Sequence, residues 1–185
     1  MNTTYTIIAA ILALLVAGVI LAPIFVRRQR SRNYQSKFGL EYDHTVESTG
    51  SEKKAQAELE QRRKHVEELN IRPLSIGERE RYLQDWTAVQ AKFFDQPGPA
   101  TTEADHLIME VMQVRDYPVS DFEQRAADIS VNYPALVSNY RAARKIAVQN
   151  EKHEANDEDL KQAVIYYRSL FDELLKTEIV SPEVN

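Results

Sequence analysis

The chain predicts an all-α fold: one N-terminal transmembrane helix followed by a soluble bundle of five to six helices. Three observations carry that expectation. Ile7 to Val26 is a run of 20 residues with no charge, Ser, Thr or Asn. Beyond Gly50 the apolar residues recur at three- and four-residue spacing, the period of a helix with one buried face. Outside the leader no run of alternating β-branched residues appears.

Charge divides the chain before any helix is drawn. Residues 1–26 carry no charged side chain, residues 27–40 carry five positive ones and no acid, and residues 41–185 carry 18 basic against 28 acidic groups, a net of −10. The layout reads as an anchor at 1–26, a basic juxtamembrane collar and connector at 27–49, an acidic helical domain at 50–177 and a tail at 178–185. A domain of that size buries roughly two-thirds of its unfolded surface and needs no covalent staple. The absence of cysteine excludes a disulfide scaffold, thiolate-bound zinc and a thiol nucleophile. An acidic domain argues against nucleic acid as a partner, because phosphate contact needs a basic face.

The leader fits a bilayer. A 20-residue helix rises about 30 Å, the thickness of the hydrocarbon core. A cleaved secretory signal is the rival, but that needs positive charge before the apolar run and a small-x-small site after it. Here Arg27, Arg28, Arg30 and Arg32 follow the run, and Pro23 follows Ala22. Lysine and arginine favour the cytoplasmic side, so the expected topology is single-pass in the cell's inner membrane, N-terminus outside and domain inside. The alternative places the domain on the outer side. Ala9, Ala13 and Ala17 have the small-xxx-small spacing of associating membrane helices, but alanine is common in any such helix. Near the membrane, the four arginines serve as a topology signal first and a lipid contact second.

The elements follow in order. Ala55, Leu59, Val66 and Leu69 form a narrow stripe on a charged helix, interrupted by Arg62 and closed by Pro73. Such a stripe suits a seam or a docking face. Ser75-Ile-Gly-Glu78 is a capping box opening a helix with Leu83, Trp86, Val89 and Phe93 on one face. Pro97-Gly98-Pro99 reads as a loop, and a helix from about Thr102 to Arg115 follows. Ser120-Asp-Phe-Glu123 reads as a second box opening a short helix, and Pro134 as the first turn of the next. The last helix begins at Asn156, with Asp157, Glu158 and Asp159 at its positive end. Its Leu160, Ala163, Val164, Tyr167, Leu170, Phe171, Leu174 and Leu175 make the clearest amphipathic pattern in the chain. Tyr-Pro and Arg-Ala-Ala each recur 16 residues apart, at 117 and 133 and at 125 and 141; two adjacent helices with similar starts explain this.

Chemistry is sparse. Two Glu-x-x-His pairs occur, Glu41 with His44 and Glu103 with His106. Carboxylate-bridged metal bundles use this spacing, so Glu103 and His106 are the weak metal candidates. The first pair lies in a Gly-flanked connector, and His106 is expected on the polar side of its helix beside Asp105. No nucleophile elbow, zincin helix, Walker loop or Gly-rich dinucleotide turn is present. Trp86, Phe93, Tyr140, Tyr167 and Phe171 read as core aromatics before they read as a ligand pocket. No catalytic residue and no cofactor is assigned.

Ile71-Arg-Pro-Leu-Ser75, Glu78-Arg-Glu-Arg-Tyr82, Val89-Gln-Ala91, Asp121-Phe-Glu-Gln-Arg-Ala-Ala-Asp128 and Glu158-Asp-Leu-Lys-Gln-Ala-Val-Ile-Tyr-Tyr-Arg168 resemble a family of uncharacterised bacterial proteins. The likeness runs over roughly residues 27–176. It implies a bacterial source and a single anchor, and it carries over no functional residue.

These readings together predict a membrane-tethered interaction or scaffold domain, in contact with the bilayer and with an unknown protein partner or a second copy of itself. The alternative is a helical domain binding a small molecule or lipid. The missing cysteines provide a test of topology. In an Asn185→Cys variant, the new thiol is expected to resist a membrane-impermeant maleimide in intact cells and to react after lysis. Labelling of intact cells would place the domain outside.

Overall fold

The computed structural model describes residues 25, 26 and 28–176. Its described residues form eight helices and no strand. They are α1 (28–38), α2 (Leu40–Thr49), α3 (Glu52–Glu68), α4 (Ile76–Phe93), α5 (Pro97–Val114), α6 (Phe122–Asn132), α7 (Val137–Glu151) and α8 (Asp157–Leu174).

The all-helical expectation holds, but the architecture drawn from the sequence needs correction. No helix among the described residues is long and apolar enough to cross a membrane. The run expected to do so, Ile7 to Val26, lies outside the described residues except for Phe25 and Val26. The five or six helices expected after it become eight, because residues 28–49 form two helices of their own. Glycine punctuates them. Gly39 precedes α2 with φ 53° and Gly50 ends it with φ 68°, in the left-handed region where a Cβ is strained. In the sequence these glycines mark a connector; in the fold they turn the chain sharply between helices.

Two apolar clusters result. The larger joins α4, α5, α6, α7 and α8 around Trp86, Ile108, Met112, Ile129, Leu170 and Leu174. Trp86 and Phe171 meet at 4.7 Å between ring centroids, and Tyr140 meets Tyr167 edge-on at 6.2 Å. The expected aromatic core is thus a core. The smaller cluster holds Phe38, Tyr42, Ala55 and Leu59, with Tyr34 and Val46 partly buried against it. It binds α1, α2 and α3 into a unit of their own. That unit meets the larger bundle where α3 packs on α6 and α2 on α7.

Helix starts follow local chemistry. At α4 the Ser75 hydroxyl accepts from the Glu78 N–H at 3.3 Å while the Glu78 carboxylate accepts from the Ser75 N–H at 2.8 Å, as the capping box predicts. Arg72 joins that carboxylate through two hydrogen bonds, at 2.8 and 3.0 Å. Arg72, with the Ser75 donors, holds the Glu78 carboxyl down to about 2. Asn156 and Asp159 form the second box, at α8. Three boundaries differ from the sequence reading. Pro134, expected in a first helical turn, lies in a turn ahead of α7, which begins at Val137. The first turn of α5 is Pro97-Gly98-Pro99 itself, where a missing N–H costs nothing because first-turn donors have no partner inside the helix. At α6 the cap is Asp121, one residue after Ser120, and its carboxylate accepts from the Gln124 N–H at 2.9 Å.

Leu170 is fully enclosed, whereas Ile165 on the same helix is half exposed. Leu170→Ala is expected to lower unfolding free energy by about 2–5 kcal/mol, while Ile165→Ala stays within about 1 kcal/mol. Urea denaturation of the two variants checks this; equal losses would mean that α8 does not face the core as described.

Candidate functional site: the polar joint between two helical units

The joint between the units is built on a buried carboxylate. Glu41, in the first turn of α2, is 2% exposed. Its oxygens accept from Arg62 Nη1 on α3 at 2.7 Å and from both terminal nitrogens of Arg141 on α7, with Arg141 Nη2 at 3.1 Å. Arg62 also bonds Glu58 one turn earlier. The interruption that Arg62 makes in the apolar stripe has its reason here: the side chain turns toward Glu41.

A second contact crosses the joint. His65 Nε2 on α3 stands 3.7 Å from Asp128 Oδ1 on α6. Asp128 is wholly buried; Oδ1 accepts from Gln124 Nε2 at 2.8 Å, and Oδ2 has no hydrogen-bond partner. Burial pushes the Asp128 carboxyl above the ordinary carboxylate range, opposed by the Gln124 amide and the nearby His65 and Arg62.

Between these contacts the helices part into a cleft of about 530 Å³. Its walls include His44 from α2, Glu58, Gln61 and His65 from α3, and Gln124 and Arg141 from α6 and α7. Charged groups of both signs are therefore held in fixed relation on facing helices, with a buried acid at each end. Deeper in the bundle, Asp105 is also turned inward. One of its oxygens takes Arg144 Nη1 at 2.8 Å, and burial together with the facing Asp105 carboxylate raises the Tyr167 hydroxyl well above its usual range. Arg125, 4% exposed, donates to the Tyr140 hydroxyl at 3.2 Å and to the Val119 carbonyl.

The residues singled out in the sequence fall as follows. Ala55 and Leu59 of the stripe lie fully buried against Phe38 and Tyr42, Val66 is buried, and Leu69 packs on the larger core. The stripe is used inside the molecule. Arg28, Arg30 and Arg32 stand exposed on α1, and Arg27 lies outside the described residues. Glu103 and His106 are exposed on α5, beside a shallow groove shared with Asp85 and Glu110. Glu103 is engaged by Lys92 Nζ at 2.6 Å, and among the described residues no three His, Asp or Glu side chains are grouped to hold a metal ion. Asp105, expected beside His106 on the polar side, faces the core instead. Glu41 and His44 share α2, but Glu41 is occupied by the two arginines while His44 lines the cleft.

Comparison with known proteins returned no match to a family model, a curated protein or a solved structure. The resemblance read in the sequence rests on its quoted residues alone.

Asp128 yields a pH-dependent prediction. An acid whose folded pKa exceeds its unfolded value, about 3.9, binds protons more tightly when folded. Its contribution to stability therefore falls as pH rises from that value through the raised folded one, and then levels off. Asp128→Asn is expected to match the parent below about pH 4 and to be more stable at pH 7. Melting temperatures at both pH values test this; a variant less stable at pH 7 would show that the ionised carboxylate is favoured where it lies.

Proposed function

We propose that this chain is a non-enzymatic helical interaction module, a scaffold whose recognition surface is the cleft between the α1–α3 unit and the larger bundle. One observation carries the reading: the apolar stripe at 55–69 is covered within the chain, while the joint between the units presents an open, polar concavity. Charged groups there are already ordered by ion pairs, so a partner would meet a preformed surface and bear less ordering cost. The exposed charges favour a polar partner surface over an apolar one. A small organic ligand is the second reading, favoured by a cleft volume within the usual range for ligand sites, about 300–1,000 Å³.

Photocrosslinking in the producing cell separates these. A benzophenone amino acid at Gln61, exposed on the cleft wall, is expected to give adducts of discrete protein mass. The same residue at Asp85, beside the α4–α5 groove, is expected to give none of them. Identical adducts from both positions, or none from Gln61, would set the interaction reading aside. A bound small molecule retained in native mass spectrometry of the intact protein would support the second.

A further inference from the structure

His65 is divided between solvent and interior. Its side chain is 43% exposed and lines the cleft, yet its Nε2 is buried and has no hydrogen-bond partner. That nitrogen stands 3.7 Å from Oδ1 of Asp128, a wholly buried residue on α6. The two side chains belong to different helical units and face each other across the contact of α3 with α6. Their separation exceeds a hydrogen bond by less than about 1 Å. What the contact contributes depends on the charge of the ring. A neutral imidazole leaves an ionised carboxylate in the interior with the Gln124 amide as its one hydrogen-bond donor, and burial of a charge so poorly matched is costly. A protonated imidazole offers a charged donor, whose bond to a carboxylate is shorter and stronger than a neutral one. Imidazole is also the side chain that ordinarily changes charge between pH 5 and 8.

The other charged groups around the pair are engaged elsewhere or stand in solvent. Arg62 on α3 and Arg141 on α7 are both bonded to Glu41 of α2. Glu58 on α3 takes the other terminal nitrogen of Arg62, and Lys64 and Glu68 on the same helix are exposed. His44 of α2 and the exposed Asp121 and Glu123 at the start of α6 line the cleft with His65. Tyr117, ahead of α6, has its hydroxyl bonded by Asn132, and burial raises it above its ordinary alkaline range. His44 is thus the one other group on the cleft wall that ordinarily titrates between pH 5 and 8.

We propose that His65 and Asp128 form a pH-sensitive latch between the two helical units. With His65 protonated, Nε2 donates to the Asp128 carboxylate and holds α3 on α6. With His65 neutral, that contact releases, and the α1–α3 unit opens more often from the larger bundle while staying pinned at Glu41. The cleft lies between latch and pin, so its width follows pH whatever it binds. The direction is set by the charges. The contribution of the latch is present in acid and is lost as pH rises through the imidazole range. The Asp128 carboxyl works in the same direction, since burial raises it and disfavours its ionised form.

Amide hydrogen exchange of the full chain at pH 6 and pH 8 tests this, with each rate divided by the intrinsic rate at that pH. Protection of the α3 amides, taken relative to α8, is expected to fall by about tenfold from pH 6 to pH 8, the scale of one charge-assisted hydrogen bond. His65→Gln and Asp128→Asn are each expected to shrink that difference to within about twofold, the background left by surface charge. His44→Gln, which removes the other histidine of the cleft wall, is expected to leave it intact. Equal α3 protection at the two pH values in the parent chain would overturn the proposal. So would a tenfold difference that survives in His65→Gln or Asp128→Asn, or one that is lost in His44→Gln. Should Asp128→Asn fail to fold, the partly exposed His65 still decides the matter: His65→Gln must lose the difference that His44→Gln keeps.

Discussion

Everything between the two helical units depends on the burial of one charge. A carboxylate removed from water needs opposite charge and hydrogen bonds around it, or folding fails by several kcal/mol. Glu41 receives both, but from helices far apart in the chain: Arg62 on α3 and Arg141 on α7, the latter 100 positions away. The carboxylate is satisfied only when α2 lies across α3 and both lie against α7. Buried ion pairs often add little net stability compared with a well-packed apolar substitute, because desolvation offsets attraction. Their geometric demand is another matter. An apolar contact between α2 and α7 would tolerate a slide or a rotation, whereas the Arg141 hydrogen bonds to both Glu41 oxygens admit one register.

That choice of a polar contact also explains the cleft. Apolar surfaces close against each other until water is excluded, as the larger core does around Trp86 and Phe171. Charged side chains keep their distance, since each must retain hydrogen bonds or solvent. Arg62 and Arg141 remain 14% and 18% exposed while holding Glu41. The joint is thus pinned at Glu41 and at the His65–Asp128 contact and stays open between them. The concavity follows from having two small cores joined by charge instead of one continuous core.

Much of the larger bundle is legible in the sequence because it obeys local rules. The boxes at Ser75 and Asn156 and the apolar face of α8 each involve residues within a few positions of one another. Pro97-Gly98-Pro99 misleads because proline punctuates helices from either side; in the fold the turn belongs to α5, and Asn150 on α7 donates to the Gly98 carbonyl at 3.1 Å. The polar joint is harder to read. Periodicity identifies which face is buried but not which charged residue is turned inward, so Glu41, Asp105 and Asp128 look like three more acids in an acidic chain. The signals that existed were departures from pattern. Arg62 sits in the middle of an otherwise apolar stripe, and Arg125 and Arg141 repeat 16 residues apart with the same Ala-Ala following. Both of the repeated arginines prove to be structural: Arg125 reaches the Tyr140 hydroxyl, and Arg141 reaches Glu41.

The same departures separate the acids by role. Asp105 lies beneath the surface with Arg144 as its counter-charge, and Glu41 has two arginines. Each is an acid whose partner fixes a helix contact. Asp128 differs, because no arginine bonds it: the contact across the joint is His65 Nε2 at 3.7 Å with no hydrogen bond formed, and Oδ2 is buried without a partner. A carboxylate so placed contributes less to holding α3 on α6 than a leucine would, since it brings desolvation without full compensation. Packing alone therefore gives no account of an acid at this position.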